Sequence, residues 1–232
     1  MTTTLGSVLI EVIRRRCPDK AQNWLNQTLT QLHAPLDRNL FGAAYAGVRR
    51  RLGGEPVIID PEEQAALQGT ELLSLNGHAL DEVCRIVLLF RASECLAPGD
   101  YAPFISELYL RGDNYERQAL LRGLTYLPDP ERFVATAVEA CRTNAQVIFE
   151  AIACDNPYPL RYFPELNYNH MVLKALFIGS PLSRVVGLEE RITPELVRMA
   201  EDYAAERRAA GRPVPEDIEL ITSNWGAKHE AI

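Results

Sequence analysis

ALDEVCRIVLLF, residues 79–90, places Leu80, Val83, Ile86, Val87 and Phe90 at helical spacing. Intervals of three and four residues fit the 3.6-residue turn, not the alternation of a strand. The same period recurs upstream. Leu5, Val8, Leu9, Val12 and Ile13 mark a first helix, and Trp24, Leu25, Leu29 and Leu32 a second. Leu40, Phe41, Ala44, Tyr45, Val48 and Leu52 mark a third, stopped by Gly53-Gly54. The breaker-rich stretch Gly53–Gly77 follows. Its Val57-Ile58-Ile59 run has strand character, but one strand cannot make a sheet. Pro61 with Glu62 and Glu63 reads as a helix start.

Downstream, helices are expected at about 101–109 and 115–127. Further helices are expected around Val134–Cys141, Val147–Ile152, 169–178, 182–188 and 194–210, with Asp155–Tyr168 read as an irregular segment. Asp113 followed by Glu116 has the form of a capping box. Thr193-Pro194-Glu195 supplies a cap, a first-turn proline and a first-turn acid. The segments 118–128 and 171–181 share a scheme of apolar helix, turn and second helix. The expected fold is all-α: antiparallel helix pairs, arranged either as a HEAT-like α-solenoid or as an irregular helical bundle. Residues 1–212 read as one helical domain with a looser connection at 53–78. Residues 213–232 read as a partly disordered tail on which Trp225 docks.

The 232 residues carry 24 basic and 31 acidic side chains, a net charge of −7. This argues against nucleic acid as a partner, since its binding needs a basic face. Only three of the basic residues are lysines (Lys20, Lys174 and Lys228). Five scattered cysteines without a CxxC pair read as reduced, inert thiols of an intracellular protein. In MTTTLGSVLIEVIRRRC the basic residues follow the apolar stretch, the reverse of a secretory signal. Apolar runs such as Ile86–Phe90 are too short to span a bilayer. The expectation is a cytoplasmic protein without membrane insertion.

There is no P-loop, GxGxxG, HExxH or GxSxG pattern. The four histidines stand apart in sequence, so neither a metal nor a cofactor is expected. The unusual segment is Asp155–His170, DNPYPLRYFPELNYNH. It concentrates Tyr158, Tyr162, Phe163 and Tyr168 with three prolines. Tyrosine pairs flat apolar area with a polar tip, which suits a small aromatic ligand. Arg161, His170 and Lys174 would meet the ligand's acidic end. Asn167 and Asn169 would sit at the start of the next helix, where free N–H groups favour anions. The other reading of this segment is a crossover that packs its aromatics on the helices. Arg117 and Arg122 form a secondary candidate. Arg49-Arg50-Arg51 reads as a helix end complementing the dipole, and Glu201–Arg212 as a solvated face.

The block RYFPELNYNHMVLKALFIGSPL, residues 161–182, resembles the EboA family of bacterial metabolite-traffic proteins. So do the stretches 112–122, 186–191 and 201–213. The resemblance implies a helical, non-enzymatic component of gene clusters that also encode enzymes and a prenyltransferase-like membrane protein. In cyanobacteria such clusters are linked to moving precursors of the pigment scytonemin towards the periplasm. No catalytic residues are carried over by it. Three functions follow as expectations. The first is a binding protein for a small aromatic metabolite in an export pathway. The second is a protein–protein adaptor for a partner from the same cluster. The third is an enzyme using His170 as base, oriented by Glu165 or Asp155.

Overall fold

A computed structural model describes residues 5–67, 75 and 77–223. Trp225 and the last residues of the tail lie outside them. The chain divides into two compact units, residues 1–133 and 134–232. The fold is all-α. Among the described residues the only extended pairing is an isolated bridge between Pro56 and Ala79.

The first unit contains α1 (Leu5–Arg16), α2 (Asp19–Gln31), α3 (Arg38–Leu52), α4 (Pro61–Leu67), α5 (Leu80–Cys95), α6 (Pro98–Arg111) and α7 (Asn114–Gly123). Helix α5 is the centre, with α1, α3 and α7 around it. Every residue from Leu80 to Leu89 is buried, as are Ala92 and Cys95. The single apolar stripe read from the sequence therefore understates this helix, which is enclosed on all sides. Each fully buried Leu or Ile contributes about 1.5–3 kcal/mol. The expected 115–127 helix ends earlier, at Gly123, and passes into a 3-10 turn, Leu124–Tyr126. A Cβ on Gly123 would stand 3.0 Å from Ile86 Cγ1, so this glycine permits the close approach of α7 to α5.

Enclosure of α5 also buries charge. Asp81, Glu82 and Arg85 are all inside. Arg85 Nη1 donates to Asp81 Oδ2 at 2.6 Å, and Arg49 of α3 lies 3.3 Å from both Asp81 oxygens. Arg122 of α7 donates to both Glu82 oxygens at 2.7 and 2.6 Å. The same Glu82 accepts from the Ala79 N–H at 3.1 Å. The residues leading into α5 are tied down: Val57 N–H donates to the His78 carbonyl, and Leu80 N–H to that of Glu55. Arg16 holds buried Glu63 with two bonds of 2.6 Å.

The second unit contains α8 (Val134–Ala140), α9 (Gln146–Ala153), α10 (Tyr158–Tyr162), α11 (Glu165–Ile178) and α12 (Pro194–Ala209). Two expectations are corrected here. The segment 155–168 is not irregular: it forms α10 and the first turn of α11. Its prolines start helices instead of breaking them, with Pro159 in the first turn of α10 and Pro164 as the cap of α11. The residue before the first turn and the first turn itself need no N–H partner within the helix. The expected 182–188 helix is instead two 3-10 turns, Leu182–Arg184 and Leu188–Glu190. Gly187 between them has φ +68°, and Leu160 occupies the space where its Cβ would be. The two segments read as a repeat end differently, since α11 stops at left-handed Gly179 and α7 does not. Ile218 and Ile221 are buried, and Asp217 accepts from the Leu182 N–H at 2.7 Å.

All five cysteines are free and buried. Burial pushes the Cys141 thiol up to about 12 and that of Cys154 up to about 11. These groups remain protonated, un-nucleophilic thiols near neutral pH.

Two predictions follow. Asp81→Ala leaves Arg85 buried without its carboxylate, and chemical denaturation is expected to register a loss of about 3–5 kcal/mol. Replacing the pair together, Asp81→Leu with Arg85→Met, is expected to cost far less, because no fully buried charge is left unpaired and Arg49, at 39% exposure, can turn to water. The second prediction concerns pH. Burial holds His78 below its ordinary range, against an upward pull from Glu82 and with a downward push from Arg122. Its Nδ1 is 3.6 Å from Glu82 Oε2, beyond hydrogen-bond distance. The unfolded imidazole takes up a proton below about pH 6.5 while the folded one resists. Stability from this residue is thus complete above that pH and declines as pH falls. Glu63 and Glu150 are held below the usual carboxylate range and act at still lower pH. Unfolding free energies measured between pH 7 and 5 are expected to fall more in the parent than in His78→Gln.

Candidate functional site

The aromatic segment singled out in the sequence is mostly interior. Tyr158 and Tyr168 have no exposed surface. The Tyr158 ring lies 4.9 Å from that of Tyr162 and 6.2 Å, edge to face, from that of Phe163. Asn156 connects this corner: its Nδ2 donates to the Ala151 carbonyl, and its Oδ1 accepts from the Tyr158 N–H. Arg191, not anticipated from the sequence, holds the segment from outside. It donates to the carbonyls of Leu160 and Phe163 at 2.7 and 2.8 Å and lies 4.5 Å over the Tyr168 ring. The Tyr168 hydroxyl and Asn169 Oδ1 are buried without a hydrogen-bond partner among the described residues.

The cap of α11 is Pro164, so Asn167, the third residue of the helix, lies in its first turn as expected, whereas Asn169 lies beyond that turn and is buried. Arg161 and His170 are exposed, and Tyr162 is half-buried. Lys174 shares α11 with His170 but is committed to another task. Its ammonium donates to the carbonyls of Cys141 and Thr143, just past the end of α8, and sits 5.4 Å over the Phe149 ring. The carboxylates suggested as partners for His170 are also engaged. Asp155 binds Arg184 at 2.7 Å, and Glu165 accepts from the Thr193 hydroxyl. Arg117 closes the end of α6, donating to the carbonyls of Tyr109 and Leu110, and Arg122 is held by Glu82. Among the described residues no three of His, Cys, Asp and Glu come together as a metal-binding group. No helix among them is long and apolar enough to cross a membrane.

Two clefts border α3. Between α3 and α6 is a cleft of about 210 Å³. Phe41, Tyr45 and Phe104 form its floor, with Phe41 stacked 5.6 Å from Tyr45 and edge-on to Phe104 at 5.1 Å. The Tyr45 hydroxyl donates to the Glu116 carbonyl at 3.1 Å. At the rim Arg38 reaches Glu107 at 3.1 Å and lies 5.5 Å over the Phe104 ring. Gly42 lines the same cleft, and a Cβ there would meet no atom within 4 Å. The sequence offered a signal for this site in Phe41, Gly42 and Tyr45 on one helix. Phe104 joins them only through the packing of α6.

A family model described as metabolite traffic protein EboA matches residues 5–222. No curated protein and no solved structure matches the chain. A match over nearly the whole length includes the amino-terminal half, for which the sequence offered only helical pattern, and the chain therefore belongs to the EboA family.

Proposed function

We propose that this chain is a non-catalytic cytoplasmic protein of metabolite traffic that holds a small aromatic metabolite in the cleft between α3 and α6. The observation that carries this reading is the aromatic floor of Phe41, Tyr45 and Phe104 beneath a space that Gly42 leaves open. Aromatic walls receive a flat ring in offset or edge-on contact. A volume near 210 Å³ is below the roughly 300–1,000 Å³ of drug-sized pockets, which suits a small ring compound. The ion-paired rim of Arg38, Glu107 and Arg111 supplies polar contacts that orient such a ligand. Membership of a metabolite-traffic family accords with reversible binding, in which cargo is held without chemical change.

Gly42→Leu tests the reading, because it fills the cleft with a good helix former. Protein purified from its own host is examined by native mass spectrometry, then denatured to identify what it carried. The parent is expected to carry a stoichiometric aromatic compound, and Gly42→Leu to fold with an unchanged helical spectrum but arrive empty. A parent that arrives bare and takes up nothing from a host metabolite extract would overturn the proposal, as would a variant that retains the compound.

A further inference from the structure

On another face of α3, towards α2, lies a second cleft of about 470 Å³. Lys20 and Trp24 line it from α2; Gly47, Arg50 and Arg51 line it from α3. None of its lining residues among those described is acidic. This is unusual in a chain whose carboxylates outnumber its cations, 31 to 24. The other described arginines of the first unit find acceptors: Arg49, the neighbour of Arg50, is on Asp81, and Arg16 is on Glu63. Lys20 and Arg50 make no hydrogen bond or ion pair among the described residues. Among those residues Arg51 has only the Trp24 ring, 5.7 Å from its guanidinium carbon.

The end of the α3 dipole offsets roughly half an elementary charge. That leaves about two and a half positive charges converging on one concave surface beside a half-buried indole. Guanidinium forks match phosphate oxygens two at a time, and an ammonium adds a point charge. The indole face offers a stacking surface for a flat ring. A Cβ on Gly47 would meet no atom within 4 Å, so the floor is open to a ligand.

We infer that the α2–α3 cleft is a binding site for an aromatic phosphate, its ring against Trp24 and its dianionic group among Lys20, Arg50 and Arg51. This site is independent of the α3–α6 cleft and stands or falls separately.

Phenyl phosphate is the probe. The sequence has two tryptophans, Trp24 and Trp225. In a Trp225→Phe background, fluorescence therefore reports Trp24 alone. Phenyl phosphate is expected to change that fluorescence saturably, more tightly than inorganic phosphate, and phenol is expected to leave it unchanged. Rising salt weakens the interaction. Arg50→Gln with Arg51→Gln is expected to reduce affinity by roughly tenfold or more, the usual scale for lost charged hydrogen bonds. Gly47→Leu blocks the floor and abolishes binding, while unfolding curves of both variants show an intact fold. Three results would overturn the inference. These are no saturation by phenyl phosphate at millimolar concentration, equal affinity for inorganic phosphate, and undiminished affinity in the folded double-arginine variant.

Discussion

The first unit depends on carboxylates buried at the start of its central helix. Asp81 and Glu82 occupy the first turn of α5, where unpaired N–H groups and the helix dipole favour negative charge. That alone does not offset the cost of removing two carboxylates from water. Three guanidiniums complete the balance, and each arrives from a different helix: Arg85 from α5, Arg49 from α3 and Arg122 from α7. An apolar contact tolerates sliding by a fraction of a turn. A guanidinium held between two carboxylate oxygens does not. The network therefore fixes the rotation and register of α3 and α7 against α5, and Tyr45 reinforces it by accepting from Arg85 through its backbone carbonyl.

That clamp explains how one basic run divides its labour. Successive residues on a helix point about 100° apart. With Arg49 drawn onto Asp81, 4.0 Å over the Tyr115 ring, Arg50 and Arg51 are turned away from α5. Gly54 completes the arrangement, since a Cβ there would collide with the Arg49 guanidinium. The dipole reading of the run accounts for its place at a helix end. It does not account for the three different environments.

Local interactions were legible in the sequence; the destinations of long side chains were not. Asp113 and Glu116 form the reciprocal cap their spacing implies, and Thr193 accepts from the Leu196 N–H, because both partners lie within one turn. The period of residues 79–90 gave helix α5 but not its enclosure, which its neighbours decide. The segment 155–168 misled because a proline that ends one helix and a proline that begins the next look alike in a string of residues. Lys174 reads as a neighbour of His170 on one helix face. Its acceptors, however, lie 33 and 31 residues back, on carbonyls that no pattern reveals. The family resemblance was densest in the second unit, whereas the two clefts that border α3 are in the first.

The glycines of the chain make the same distinction in energetic terms. Gly123 and Gly187 are explained by their neighbours, since Ile86 and Leu160 fill the volume a side chain would need. Gly42 and Gly47 have no such explanation. Both lie in the interior of α3, where glycine costs about 1 kcal/mol relative to alanine, and neither has an atom within 4 Å of an added Cβ. A helix that gives up this much stability at two positions, each opening onto a cleft, is shaped by something beyond its own packing. Clamped to α5 on one side, α3 keeps both clefts in fixed shape, so a ligand entering either meets a preformed surface and little ordering cost.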